Sequence, residues 1–185
     1  MGILSNIFSS KVIVESKVDT STLDPVKNSI HQFKVTTLEG KVFDFASLKG
    51  EKILIVNTAS KCGLTPQYKK LQELHDKYID EKITIVGFPA NDFFKQEPGD
   101  NKQIGEFCSR NYGVSFPMMN KVTVKGKSKD AIYKFLTEKA LNGVADSKVI
   151  WNFQKYLINE NGFLELCISP KTSPTDPEII KWIEA

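Results

Sequence analysis

The sequence predicts one α/β domain built on a central mixed β-sheet with helices on both faces. A strand, a helix and a second strand follow one another over residues 52–88, an order that makes the two strands parallel. A β-hairpin and a closing helix occupy the last part of the chain, which adds antiparallel pairing to the sheet. The length of 185 residues makes a single domain the default.

Composition and charge exclude several classes of protein. Apolar residues make up 41% of the chain, enough for a core, and the net charge of +3 is too small to indicate nucleic-acid binding. The longest apolar runs, such as ILIV at 53–56, are too short to span a membrane. The N-terminus MGILSNIFSSK lacks a secretory pattern, and Asn6 stands where a myristoylation signal has Ser or Thr. We therefore expect a cytoplasmic protein.

The first elements are an extension and a hairpin. The apolar residues of segment 1–27 show no clear helical or strand periodicity. We interpret this segment as an N-terminal extension of a domain that covers 28–185. That domain opens with the segments HQFKVTTL and KVFDF, which flank Glu39 and Gly40. Two such segments around a glycine turn predict an N-terminal β-hairpin.

The strand, helix and second strand come next. The β-branched segment KILIVNT at 52–58 is typical of a strand buried on both faces. The loop ASKCGL then leads to Thr65 and Pro66, which suit an N-cap and a first helical position. An apolar stripe in YKKLQELHDKY predicts the helix, and KITIVGF at 82–88 predicts the second strand.

Two further helices are predicted in the middle of the chain. Asp100 is a candidate N-cap with Gln103 placed to complete a capping box. The second helix covers about 128–141, has Ala140 among its inward residues and stops at Gly143. One side of the first helix is apolar: Ile104, Phe107 and Cys108.

The chain ends with a hairpin and a helix. Strands over about 153–159 and 163–168 are joined by Asn161 and Gly162, a strong hairpin signal. A closing helix covers 177–184. This order of elements is the plan of the thioredoxin fold with an insertion between the second strand and the hairpin.

Three cysteines, Cys62, Cys108 and Cys167, are the candidate reactive groups. An odd number of cysteines in a chain of this length does not indicate a secreted disulfide scaffold. The chain has two histidines and neither a CxxC nor an HExxH motif, so we expect no metal and no cofactor.

Cys62 has the best position for a nucleophile. It lies between the C-terminal end of a buried strand and the first turn of a helix, where ligands bind in α/β sheets. The helix N-terminus and Lys61 both favour a thiolate. A small buried structural cysteine is an equally good interpretation of this position alone.

Four sequence blocks resemble those of a known family. NTASKCGLTPQY, GFPANDFFKQEPGDN, FPMMNKVTVKG and WNFQKYLINENG are similar to the signature blocks of the glutathione peroxidases, and they occur in the same order. The resemblance runs from about residue 30 to the C-terminus. It implies a thioredoxin-like fold and a thiol peroxidase that reduces hydrogen peroxide and organic hydroperoxides.

The resemblance also implies a catalytic set. Cys62 takes the catalytic position, and Gln96, Trp151 and Asn152 match the family's Gln, Trp and Asn. Neutral N–H donors around a thiolate suit peroxide cleavage, whose product on sulfur is a sulfenic acid. Singly, each partner has a structural alternative: an exposed loop residue, a core tryptophan and a turn former, respectively.

Recycling of the sulfenic acid has two possible routes. Glutathione could reduce Cys62 directly, or Cys108 could resolve it to a disulfide that thioredoxin reduces. Cys108 matches the helix that carries the resolving cysteine in thioredoxin-dependent members, although its apolar neighbours also suit a structural role. A disulfide needs Cα atoms within about 7 Å, so if Cys108 resolves the sulfenic acid, the helix around 101–112 must unwind locally. Cys167 stands where the family often has Arg, which argues against binding of an anionic thiol such as glutathione. We interpret Cys167 as a small structural residue of a strand.

Two alternative functions and one short loop also bear on what the chain does. A peroxide sensor that relays oxidation to a partner protein would use the same cysteines, whereas an inactive binding module need not keep Cys62, Gln96, Trp151 and Asn152 together. The segment 140–148 is short compared with tetrameric members of the family, so we expect a monomer with an open site that admits lipid hydroperoxides.

Overall fold

The structure, a computed structural model, describes the backbone of residues 12–15 and all of residues 19–81 and 83–185. Five strands form one sheet: β1 (Val12–Glu15), β4 (Lys52–Thr58), β5 (Ile83–Pro89), β6 (Lys155–Ile158) and β7 (Leu164–Ile168). Their order across the sheet is β1-β7-β6-β4-β5. The strands β2 (Lys34–Thr36) and β3 (Val42–Asp44) form the separate hairpin that the sequence predicts. Only β4 and β5 pair in parallel among the described strands, which confirms the mixed sheet.

Helices cover both faces of this sheet, as predicted. They are α1 (Gln67–Tyr78), α2 (Asn101–Tyr112), α3 (Ala131–Thr137), α4 (Lys139–Asn142) and α5 (Pro177–Glu184). One apolar core joins α1, α2 and α5 to the sheet, and a second core on the other face joins α3 and the β2–β3 hairpin to it. Within the described ranges, no helix has the length and apolar character needed to cross a membrane.

The central strand β4 positions the loops that carry the candidate site. Ile53 and Ile55 point into one core, Leu54 and Val56 point into the other, and all four side chains are fully buried. Since β5 runs parallel to β4, the loops that follow the two strands emerge at the same edge of the sheet. The sequence places Cys62 in the first of these loops and Gln96 in the second.

Several local signals are confirmed in detail. The bounds of β4 are those predicted, and α2 begins with the predicted capping box. The Asp100 carboxylate accepts from the Gln103 backbone N–H at 2.8 Å, and the Gln103 amide oxygen accepts from the Asp100 N–H at 3.0 Å. Gly162 turns the β6–β7 hairpin with φ +82°. Lys82, the first residue of the predicted second strand, lies outside the described residues.

The prediction of one helix over 128–141 is wrong in one respect, because the segment forms two helices. The chain is extended at Glu138, where φ is −119° and ψ is 114°. The backbone N–H of Lys139 donates to the Asp146 carboxylate at 2.8 Å instead of continuing the helical ladder. Ala140, predicted to face inward, is exposed, whereas Gly143 ends α4 in the left-handed conformation as predicted.

The N-terminal segment contributes a strand that the sequence did not indicate. The backbone of β1 pairs antiparallel with β7, and Val14 lies opposite Cys167. β1 is therefore the edge strand next to β7. Residues 1–11 and 16–18 of the segment interpreted as an extension lie outside the described residues.

Candidate active site

Cys62 lies in the turn that connects β4 to α1, and 9% of its surface is exposed. Its Sγ accepts a hydrogen bond from the backbone N–H of Leu64 at 3.4 Å. Its carbonyl oxygen accepts from the N–H of Thr65 at 3.0 Å, so the turn tightens directly after the cysteine.

Thr65 holds this turn together, and the prediction that it caps α1 is wrong. α1 begins at Gln67, and the cap position is taken by Pro66, which offers no side-chain hydrogen bond. The Thr65 hydroxyl accepts from the backbone N–H of Cys62 at 2.9 Å and donates to the carbonyl oxygen of Ala59 at 2.8 Å. Because both groups are buried, the hydroxyl fixes the backbone on the N-terminal side of the sulfur.

Gln96 belongs to the loop that follows β5, and the backbone joins this loop to the Cys62 turn. The carbonyl oxygen of Gln96 accepts from the N–H of Lys61 at 2.9 Å. The Gln96 N–H donates in turn to the carbonyl oxygen of Phe93 at 3.1 Å. Gln96 is half-buried, so its side chain is neither a core residue nor a freely solvated one.

Asn152 lies in the turn before β6, is fully buried and meets Gln96 directly. Its Nδ2 donates to Gln96 Oε1 at 2.8 Å across a sequence separation of 56 residues. Asn57 of β4 fixes this turn, because its Nδ2 donates to the Trp151 carbonyl oxygen at 3.1 Å. With its oxygen occupied by Asn152, the Gln96 amide presents N–H groups to a further acceptor.

Trp151 is half-buried and lies between two aromatic rings. Its ring centroid is 5.2 Å from that of Phe93 and 5.6 Å from that of Phe94. It packs against the core cluster that contains Cys62 and also against the core on the other sheet face. Trp151 is therefore at the boundary of the core and not inside it.

Backbone strain is concentrated at the residues that flank the site. In the described parts of the chain, the non-glycine residues with positive φ are Phe94 at 49°, Lys95 at 54° and Phe153 at 66°. The first two precede Gln96 and the third follows Asn152. Bulky residues rarely adopt this conformation, and such strain persists where the surrounding structure imposes it.

Glu97, a group that the sequence analysis missed, is buried next to Gln96. It is 1% exposed, and neither carboxylate oxygen has a partner of good hydrogen-bond geometry among the described residues. Burial raises its pKa from 4.5 to about 6, although Ser60 and the charges of Lys121 and Lys61 oppose the shift. A cavity of about 360 Å³ lies beside it, between the Cys62 turn and α2.

Cys108 faces the interior from α2. It is 2% exposed, unpaired, and part of the apolar cluster that also contains Cys62 and Tyr68. Burial raises the pKa of its thiol to about 11. The hydroxyl of Tyr68 works against this shift and the charge of Glu97 adds to it. The thiol is therefore protonated at neutral pH while α2 is intact.

Cys167 is the fourth of the five residues of β7, fully buried and unpaired. Burial raises the pKa of its thiol to about 12, and its Sγ accepts from the Gln154 amide at 3.2 Å. No trio of His, Cys, Asp or Glu side chains within the described ranges is arranged to hold a metal ion.

Comparisons with known proteins identify one family. The model of the family described as glutathione peroxidase matches residues 30–137. The chain is 47% identical over 146 residues to a glutathione peroxidase homolog, BsaA, of Halalkalibacterium halodurans, covering 79% of this chain and 92% of that one. It is 45% identical over 153 residues to glutathione peroxidase-like peroxiredoxin 2 of Saccharomyces cerevisiae, covering 82% of this chain and 94% of the yeast protein.

Solved structures confirm the predicted thioredoxin-like fold. The crystal structure of Trgpx in apo form matches with a TM-score of 0.66 and 31% identity over 85% of this chain and 96% of that one. A thioredoxin family protein also matches this fold. The family model and the relatives together confirm the resemblance that the four sequence blocks carry: the chain belongs to the glutathione peroxidase family.

Proposed function

We propose that the chain is a thiol peroxidase in which Cys62 attacks the peroxide and Gln96, Asn152 and Trp151 assist it. The hydrogen bond between Asn152 and Gln96 is the observation that carries this proposal. It brings two amides together beside the Cys62 turn, to which the Gln96 backbone is itself bonded. Hydrogen bonds thus link three segments that are distant in the sequence.

In the first step, the Cys62 thiolate attacks the terminal oxygen of the hydroperoxide. An S–O bond forms, the O–O bond breaks, and the remaining oxygen leaves as alkoxide or hydroxide and takes up a proton. The N–H groups of Gln96 and the Trp151 indole are suited to stabilise the charge that develops on oxygen. The sulfur is oxidised to a sulfenic acid.

In the second step, the Cys108 thiol attacks the Cys62 sulfur, so a disulfide forms and water leaves. A reduced thioredoxin dithiol then reduces this disulfide and is oxidised itself. Relatives named glutathione peroxidase-like peroxiredoxins support this route over direct reduction by glutathione. Because Cys108 is buried in α2, the step requires local opening of that helix.

Mass spectrometry of the reduced protein after one equivalent of hydrogen peroxide tests both steps. The expected product is a disulfide that links the Cys62 and Cys108 peptides. Cys108→Ser should still reduce one equivalent of peroxide but should not turn over with thioredoxin. Cys62→Ser should neither reduce peroxide nor turn over with thioredoxin. Full thioredoxin-coupled activity in Cys108→Ser would contradict the resolving role. A persistent Cys62 sulfenic acid in the unmodified chain would instead favour glutathione or a sensing role.

A further inference from the structure

Phe94 occupies a position that is unfavourable for a phenylalanine in two ways. Its side chain is 83% exposed to solvent, and its backbone has φ +49°, in the left-handed region that favours glycine. Hydrophobic exposure and backbone strain in one residue bring no stability to the folded chain by themselves. Strain of this kind at a candidate active site indicates a functional reason for the residue.

The ring of Phe94 belongs to a group of three aromatic side chains, which we call the aromatic stack: Phe93, Trp151 and Phe94. Phe93 is the buried member and lies 5.2 Å from Trp151 between ring centroids. Phe94 is the solvent-exposed member and lies 5.6 Å from Trp151, with the ring planes inclined at 56°. The stack therefore continues the apolar surface from the core, past the candidate catalytic indole, into solvent.

An exposed apolar residue and two lysines surround the aromatic stack. Ile150, next to Trp151 in the chain, is 55% exposed. The Lys125 ammonium group lies 4.7 Å from the centroid of the Phe93 ring. Lys95 follows Phe94 and is also exposed. An apolar molecule that reached Cys62 past Trp151 would cover surface that water now contacts.

We propose that Phe94 is a substrate-contact residue that favours hydroperoxides with a bulky apolar body over hydrogen peroxide. The inference rests on the proposed roles of Cys62 and Trp151. Hydrogen peroxide is small enough to contact only the groups around the sulfur. The alkyl or aryl body of a larger hydroperoxide extends beyond the reacting oxygen and packs on the Phe94 ring, which lowers the barrier for that substrate alone.

Phe94→Gly tests this inference, because glycine accepts the left-handed backbone and only the ring is lost. Lys95→Gly is the matched control, since Lys95 has φ +54° and the same strain is relieved one residue away. The measured quantity is the second-order rate constant for oxidation of the reduced protein by cumene hydroperoxide and by hydrogen peroxide. We expect the ratio of the two constants to fall about tenfold in Phe94→Gly. It should stay unchanged in Lys95→Gly and in Phe94→Tyr, which retains the ring.

Three outcomes would overturn the inference. An equal loss with both peroxides in Phe94→Gly would mean that the ring only holds Trp151 in place. The same fall of the ratio in Lys95→Gly would assign the effect to the loop backbone, and an unchanged ratio in Phe94→Gly would leave the ring without a role. If the unmodified chain oxidised Cys62 with neither peroxide, the proposed function would fail instead.

Discussion

Cys62, in the turn after β4, and Cys167, in β7, lie in different chemical environments. Cys62 follows the end of β4, where the chain turns and a backbone N–H donates to its sulfur. Cys167 lies inside β7, opposite Tyr156 of β6 on one side and Val14 of β1 on the other. Its burial raises the pKa of the thiol to about 12. Cys167 is thus a protonated thiol inside a strand, whereas Cys62 lies in the loop after a strand, where ligands bind in α/β sheets.

The polar groups around the two cysteines also differ in how fully they are hydrogen-bonded. Near Cys167, the Gln154 amide donates to the Lys148 carbonyl oxygen, the Tyr156 hydroxyl and the cysteine sulfur. Around the Cys62 turn, several buried polar atoms lack a hydrogen-bond partner of good geometry among the described residues. They belong to Thr58, Ser60, Glu97 and Asn152. Unsatisfied groups and strained backbone therefore occur together in this region, a combination typical of functional sites.

The largest expected effect separates the two cysteines directly. Cys62→Ser should lower the rate of peroxide reduction at least about 10³-fold, because a serine hydroxyl is not ionised at neutral pH. Cys167→Ser should leave this rate unchanged, since its thiol does not ionise either. Single-turnover oxidation by hydrogen peroxide, followed by the tryptophan fluorescence, measures both. Equal losses in the two variants would show that the comparison is wrong.

A smaller effect should follow from loss of one amide beside Cys62. Gln96→Ala removes an N–H donor and leaves the Asn152 amide without its partner, so the rate of Cys62 oxidation should fall about 10²-fold. Gln103→Ala, which changes the same residue type at the exposed start of α2, is the control and should not slow oxidation. A normal rate in Gln96→Ala would remove this amide from the proposed mechanism.

The elements that the sequence predicts well are those with local signals. A continuous apolar run defines β4, and Asp100 with Gln103 defines the start of α2. The break at Glu138 was missed because the Asp146 carboxylate, from the following loop, takes the N–H of Lys139. Thr65 was misassigned for a similar reason, since its hydroxyl is used by the Cys62 turn and not by the helix.

The candidate site depends on contacts that no local pattern contains. Position alone left Cys62 undecided between a nucleophile and a structural residue, and the partners Gln96 and Asn152 came from the family resemblance. Their contact joins residues 56 positions apart, which spacing cannot reveal. Glu97 was missed because a glutamate in a polar loop is usually solvated, whereas here it is buried beside Ser60 and α2.

Substitution of Glu97 gives the smallest expected effect. It tests whether the buried groups around the Cys62 turn lower the stability of the folded chain. In the folded chain burial raises the pKa of its carboxyl to about 6, above the ordinary 4.5, so the folded state binds more protons between these values. The Glu97 contribution to the free energy of unfolding should therefore be largest below pH 4.5. It should fall by at most about 2 kcal/mol as the pH rises through 6.

Glu97→Gln removes this titration. The free energy of unfolding of the variant, relative to that of the unmodified chain, should therefore rise between pH 4.5 and pH 7 by the amount that the unmodified chain loses. Urea unfolding at both pH values measures the difference. Glu106→Gln, on the exposed side of α2, provides the control and should show no such gain. If the two variants had the same pH dependence, the Glu97 carboxyl would be solvated in the folded protein. The stability cost assigned to the Cys62 region would then have to come from the strained backbone at Phe94, Lys95 and Phe153 alone.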